Sequence, residues 1–154
     1  MEGAGLLPEN VVIEVTERFQ GRTASIIKSL RLLREQGFKL AIDDVGAGNA
    51  GLEMLREVGA EFVKIDRGII VAAPTEQNAR GVLRAMATFA RQTGAFVIAE
   101  GIEGEETLEF LRELDHGLDD SEAIVQGGQG FGLGRPTMGV PSTDPPLLRT
   151  TVKA

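Results

Sequence analysis

The sequence contains no cysteine, no tryptophan and no tyrosine, and its only histidine is His116. Missing thiols exclude disulfides, zinc–thiolate sites and cysteine nucleophiles, and one imidazole is too few for a histidine-rich metal centre. Any catalysis therefore has to run on carboxylates, lysine and backbone groups. Aromatic residues make up 5% of the chain, all of them Phe. With no basic stripe and no Trp or Tyr, a nucleic-acid polymer would find no stacking platform along a cationic groove. Positive charge is also scarce: Lys and Arg total 16 against 23 Asp and Glu, for a net charge of -7. The overall field repels phosphates, so an anionic ligand would need a local cation. No apolar run approaches the roughly 20 residues of a membrane-spanning helix. The opening Met1-Glu2-Gly3 has no basic segment of the kind that begins a signal peptide. The expected location is a reducing cytoplasm.

What is present describes a soluble globular chain: 154 residues, 42% hydrophobic and 25% charged, enough for one domain or part of a larger one. Short β-branched runs alternate with segments of helical period as far as Pro136. Strands are expected near Val11 to Val15, Phe38 to Asp44, Glu61 to Asp66, Ala95 to Glu100 and Ala123 to Gln126. Between them, Arg22 to Gln36 carries a stripe of Ile26, Leu30 and Leu33, and Glu76 to Thr93 one of Val82, Met86 and Phe89. Shorter helices are expected over Ala50 to Val58 and Glu105 to Leu114. Gly37, Gly59 and Gly94 each stand where a helix must stop and turn into a strand, a place for positive φ. Successive βα units of this length predict an α/β fold with a parallel sheet buried on both faces. Five strands supply little more than half of a (β/α)₈ barrel, so the sheet is either open or part of one. Residues 137–154, with Pro141, Pro145 and Pro146, lack periodicity and read as an irregular Pro-rich tail.

Ligands of parallel α/β sheets bind at the carboxyl ends of the strands, and each expected strand here ends in ionisable residues. The endings are Glu14-Val15-Thr16-Glu17, Asp43-Asp44, Lys64-Ile65-Asp66 and Glu100-Gly101-Ile102-Glu103. Any one of these carboxylates would serve as a helix cap. Four consecutive endings would instead crowd acids on strands about 4.8 Å apart. Crowded carboxylates either take up protons or recruit a cation, and an oxygen-only shell selects Mg²⁺, Mn²⁺ or Ca²⁺. Lys64 among them would stay charged, and would either pair with a carboxylate or hold water or a phosphate oxygen. A rival pattern is Gly46-Ala47-Gly48-Asn49-Ala50-Gly51, a G-x-G-x-x-G run with Asp66 near the offset of a ribose-binding acid. Asp43 and Asp44 immediately before the glycines would oppose a pyrophosphate, which leaves a tight turn as the plainer reading.

Glu14-Val15-Thr16-Glu17, Asp43-Asp44-Val45-Gly46-Ala47-Gly48, Lys64-Ile65-Asp66, Ala99-Glu100-Gly101-Ile102-Glu103 and Gln129-Gly130-Phe131-Gly132-Leu133-Gly134-Arg135-Pro136 occur in this order. Together they resemble the later motifs of EAL domains, the cyclic di-GMP phosphodiesterases. The resemblance implies that residues 1–136 are the carboxyl-terminal part of a TIM-like barrel, incomplete in this chain. It implies two Mg²⁺ or Mn²⁺ ions and hydrolysis of cyclic di-GMP to linear pGpG. Carried over by motif, Glu14, Asp43, Asp44 and Glu100 would be metal ligands. Glu100, Lys64 and Gln129 would be catalytic, Lys64 and Gln129 by orienting water. Glu17 would anchor the mobile loop Val45 to Leu52. Asp66, Glu103, Arg135 and Pro136 would line the substrate site.

Several departures accompany the likeness. No Glu-Ala-Leu tripeptide occurs in the 154 residues, nor a counterpart of the Asn-bearing strand that follows it in the family. Asn49 stands where the family's loop commonly has an aromatic residue. Asp115 to Gly128 is longer and more polar than the usual link, so Gln126-Gly127 offers a second candidate for the Gln-Gly motif. Two functional readings follow: a phosphodiesterase domain, or a degenerate module that holds cyclic di-GMP or a metal and acts through protein interaction. Unpaired edge strands near Val11 and Ala123 predict a homodimer. The family pattern allows a sensory or GGDEF domain upstream.

Overall fold

The computed structural model describes residues 6–16, 23–48, 51–115 and 123–136. Glu17, Asn49, His116 and the tail 137–154 lie outside the described residues, so the expectations for them stay untouched. After a 3₁₀ turn at Pro8–Asn10, the chain runs β1 (Val12–Thr16), α1 (Thr23–Glu35), β2 (Lys39–Val45), α2 (Gly51–Val58) and β3 (Phe62–Ile65). It continues through α3 (Arg67–Ala72), α4 (Gln77–Gln92), β4 (Phe96–Ala99), α5 (Glu105–Leu114) and β5 (Gly127–Gly128). The five strands form one sheet in the order β1-β2-β3-β4-β5, and every pairing is parallel. A sheet whose order follows the sequence without reversal is the arrangement of a (β/α) barrel wall; a doubly wound sheet would reverse at a switch point.

Alternation along the strands divides the sheet into two unlike faces. Leu40, Ile42, Val63, Ile65, Val97 and Ala99 face the helices and are buried, against Ile27 and Leu30 of α1, Met54, Leu55 and Val58 of α2, and Leu83 of α4. The helices form because their apolar residues recur at helical spacing, and Gly37, Gly59 and Gly94 end three of the connections with φ of +92°, +65° and +77°. Arg31 and Arg34 of α1 donate to the terminal carbonyls of Glu57 and Val58, which closes the exposed end of α2. The other sheet face, with Val12, Glu14, Ala41, Phe62, Lys64 and Ile98, lines an open concave surface on which Val12 and Phe96 stay exposed. The expected burial of both faces is thus corrected: among the described residues the helices cover one side only.

Three local expectations also change. The buried stripe of α4 is Leu83, Met86, Ala87 and Ala90, while Val82 faces solvent, a rotation of one position. The fifth strand forms at Gly127–Gly128 and not over Ala123 to Gln126. There the pairing of Ile98 with Gly127 and Ala99 with Gly128 overrides the β-branched pair Ile124-Val125, whose backbone N–H groups bond instead to the buried carboxylate of Asp115. Finally, α3 had no counterpart in the sequence reading. It starts where the Asp66 carboxylate accepts the Gly68 N–H at 2.8 Å, an N-cap.

Candidate metal centre

On the concave face Glu14, Asp43, Lys64 and Glu100 gather toward the carboxyl ends of the strands, while Lys39 stands at the opposite end of β2. Parallel register sets Glu14 opposite Ala41 and Thr16 opposite Asp43, so the Glu14 and Asp43 side chains rise on the same side one step apart. Between β2 and β3 the register shifts: Ile42 pairs with Val63 and Val45 with Ile65, so Asp43 and Asp44 together oppose Lys64. This is a bulge, and Asp44 takes φ of +55°, the one positive value among described non-glycine residues. Asp residues tolerate that conformation better than most. Lys64 pairs with Ile98 on β4, which brings Glu100, just past the strand, to the same rim.

The result is a lysine ringed by acids. Lys64 Nζ lies 2.7 Å from Glu100 Oε1 and 2.8 Å from Asp43 Oδ1, and it also pairs with Glu14 Oε1. The lysine is 8% exposed. Burial opposes its charge, but the surrounding Asp43, Glu100 and Glu14 carboxylates outweigh that and hold it above the ordinary lysine range. Burial pushes the Glu100 carboxyl up, partly offset by the Lys64 ammonium, with Asp43 adding to the rise. One ammonium shared by three carboxylates leaves negative charge uncompensated.

Glu14, Asp43 and Glu100 each offer an oxygen, and these oxygens all lie within 4.8 Å of one another. Asp43 Oδ1 is buried and, although close to Nζ, has no hydrogen bond of acceptable direction. A buried carboxylate oxygen without a directed donor, beside two more carboxylates, fits a hard divalent cation. Asp44 is half-buried next to this group and is not one of the three; its carbonyl accepts the Ala47 N–H at 3.0 Å.

The other expected site residues lie around this cluster. Gln129 shares a cleft of about 260 Å³ with Glu100, Gly101, Glu103, Gly130, Phe131 and Arg67. Gln126 immediately precedes β5, and its side-chain oxygen accepts the Val97 N–H at 2.7 Å, so it has a structural partner away from Glu100. Glu103 pairs with Arg67 at 3.0 Å. Arg135 lies over the Phe131 ring at 5.0 Å, and Pro136 follows it on the surface. Asp66 caps α3 and borders a different surface recess with Val71 and Thr75. Sequence reasoning missed Arg67; the signal available was an arginine immediately after a capping Asp at a strand end.

Glycines let the rim loops close. The Gly130 Cα sits so near Ile102 that a Cβ there would meet its carbonyl oxygen at 2.1 Å. Ile102 N–H bonds to the Gln129 carbonyl at 3.1 Å, and Gly132 N–H to the Ile102 carbonyl at 2.8 Å. The segment bearing Gln129 is thereby laced to the one bearing Glu100.

A family model described as EAL domain matches residues 2–118. Among curated proteins, a probable cyclic di-GMP phosphodiesterase PdeG of Escherichia coli is 32% identical over 105 residues, 68% of this chain and 21% of that protein. The cyclic di-GMP phosphodiesterase NbdA of Pseudomonas aeruginosa is 36% identical over 114 residues, 73% of this chain and 15% of its own length. Among solved structures, a PaMucR phosphodiesterase in complex with c-di-GMP matches with a TM-score of 0.69 and 32% identity over 85% of this chain and 50% of its own. Klebsiella pneumoniae BlrP1, in a manganese and cy-diGMP complex, gives 0.71 and 30% identity over 88% of this chain and 32% of that one. The chain thus spans about half or less of the proteins it matches.

Proposed function

Because the chain belongs to the EAL domain family, we propose that it is the metal-bearing part of a cyclic di-GMP phosphodiesterase, converting cyclic di-GMP to linear pGpG with two Mg²⁺ or Mn²⁺ ions. The observation that carries this reading is the convergence of Glu14, Asp43 and Glu100 within 4.8 Å of one another around Lys64. Glu14, Asp43 and Glu100 would hold a cation, with Asp44 completing the set from the bulge. When bound, such ions supply the positive field that a dianionic cyclic dinucleotide needs and make water acidic enough to attack near neutral pH. Lys64, charged and almost dry, would orient the attacking water and attract the incoming phosphate once a cation takes over its carboxylate partners. Gln129, across the cleft from Glu100, positions that water through its amide. Glu103, Arg135 and Pro136 would contribute to the substrate's surroundings, Asp66 would do so only from beside them, since its carboxylate caps α3, and Glu17 would anchor the loop from Val45 to Leu52.

A second reading is a regulatory module that binds cyclic di-GMP or metal without turnover. It is favoured by the ammonium of Lys64 already occupying the carboxylates. We further propose a homodimer and an upstream signalling domain. The latter draws support from the bifunctional diguanylate cyclase/cyclic di-GMP phosphodiesterase MucR of Pseudomonas aeruginosa, 33% identical over 132 residues, 85% of this chain and 18% of that protein.

The test is incubation of the 154-residue chain with cyclic di-GMP and Mn²⁺, followed by chromatography. Formation of pGpG, lost in Glu100→Gln, supports the enzyme. Calorimetric binding without turnover favours the module, and the absence of both heat and turnover refutes both readings.

A further inference from the structure

The helix that sequence reasoning missed touches the rim at two places. Ile69 of α3 packs where Gly46, with φ of +101°, has no side chain; a Cβ there would lie 2.2 Å from Ile69 Cδ1. Two residues earlier, Arg67, the first residue of α3, reaches across to the segment after β4. Its stem lies on the backbone of Gly101, which has φ of +69°, so close that a Cβ would meet Arg67 Cγ at 2.2 Å. Its guanidinium Nη2 then donates to Glu103 Oε2 at 3.0 Å. Arg67 therefore holds the turn Glu100-Gly101-Ile102-Glu103 at two points, while the Gln129 to Gly132 segment holds it from the opposite side through Ile102. Among the described residues, the backbone hydrogen bond that holds Glu100 itself is its N–H to the Ile65 carbonyl at 3.2 Å.

We propose that Arg67 is a positioning residue: by clamping Gly101 and Glu103 it sets the direction of the Glu100 carboxylate into the Glu14–Asp43 cluster. This rests on the metal reading above for its consequence, but the clamp itself is a property of the turn. The pair with Glu103 is exposed on both sides, 59% and 53%, so its contribution to global stability is small. Its effect is local order, and local order can be measured apart from unfolding.

The experiment uses the full chain with Arg67→Ala, which removes stem and charge, Arg67→Met, which keeps the stem, and Arg67→Lys, which keeps stem and charge. Hydrogen exchange is followed at the Ile102 and Gly132 amides, with Val97 and Ile65 as strand references. Arg67→Ala is expected to speed exchange at Ile102 and Gly132 about tenfold with the references unchanged, Arg67→Met less, and Arg67→Lys to restore most of the protection. Mn²⁺ affinity, by titration calorimetry, should fall about tenfold in Arg67→Ala and recover in Arg67→Lys. Unchanged exchange at Ile102 and Gly132 in a folded Arg67→Ala overturns the clamp. Faster exchange with unaltered Mn²⁺ affinity overturns its role toward Glu100. A wild-type chain that binds no Mn²⁺ overturns the metal reading instead, and the exchange arm still decides the clamp.

Discussion

Replacing Lys64 with Met keeps the length of the side chain and removes its charge from the centre of three carboxylates. Stripping one partner from a dry ion cluster costs about 3–5 kcal/mol. Here Glu14 is 47% exposed and Asp43 26%, while Glu100 is 14% exposed, so water screens part of the repulsion. The expected loss is about 2–3 kcal/mol at pH 8, or about 4–12 °C in Tm for a chain of this size. The loss depends on pH in a defined direction. In the wild type the ammonium is held above the ordinary lysine range, so its stabilising effect is complete through neutral pH and fades only in strong alkali. Without it, the Glu100 carboxyl, already raised by burial, loses the ammonium that offsets that rise while the Asp43 charge stays beside it, so the folded state keeps a proton that the unfolded chain has released. Stability of the variant therefore falls as pH rises from about 5 to 8, and the deficit against wild type widens over that interval. Mn²⁺ gives the opposite contrast: with no ammonium to compete, Lys64→Met should bind the ion about tenfold more tightly while losing turnover. The assay is thermal melting at pH 5 and pH 8, with and without Mn²⁺. A deficit of equal size at both pH values, or weaker Mn²⁺ binding in the variant, refutes the reasoning.

Gly46→Ala combines a left-handed backbone with a clash against Ile69, and is expected to cost about 2–4 kcal/mol by urea unfolding; a loss under about 1 kcal/mol would show that α3 yields freely. Asp115 is raised chiefly by burial, against which the Ile124 and Val125 N–H groups pull, so its ionisation weakens the fold as pH climbs from the usual carboxylate range. Asp115→Asn should accordingly gain on wild type between pH 4 and pH 7 in parallel melts, and a relative decline over that range contradicts the assignment. If a second copy covers the concave face, Phe96→Glu should turn a dimer into a monomer by light scattering, since Phe96 is exposed there beside Phe62; a wild-type monomer ends that proposal.

Much of the architecture was legible because local signals and tertiary demands agree. The runs at Leu40, Phe62 and Phe96 each follow a glycine with the positive φ that the turn requires, and the four strand endings converge as Glu14, Asp43, Lys64 and Glu100. The failures lie where tertiary contacts outvote local preference. Two glycines make a strand at 127–128 because they pair with β4 and leave room for Phe96, whose ring would lie 2.9 Å from a Cβ at Gly127. The six residues of α3 are too few to show a helical period, and what marks their start is the Asp66 side chain, whose capping bond to Gly68 no local pattern announces. Asp44 could be seen in the sequence, but the bulge that separates its backbone from that of Asp43 could not, since it depends on the partner strand.

That bulge carries a consequence for how the protein tolerates change. A regular strand offers every second residue to one side, so neighbouring acids in the chain ordinarily part company across the sheet. Inserting one residue suspends the rule for a single step and returns Val45 to the interior opposite Ile65. Swapping either aspartate for another residue therefore keeps the bulge, whereas deleting either would remove it and leave a regular strand, with one acid opposite Lys64 and Val45 still turned inward opposite Ile65, so the rim loses a carboxylate while the interior keeps its register.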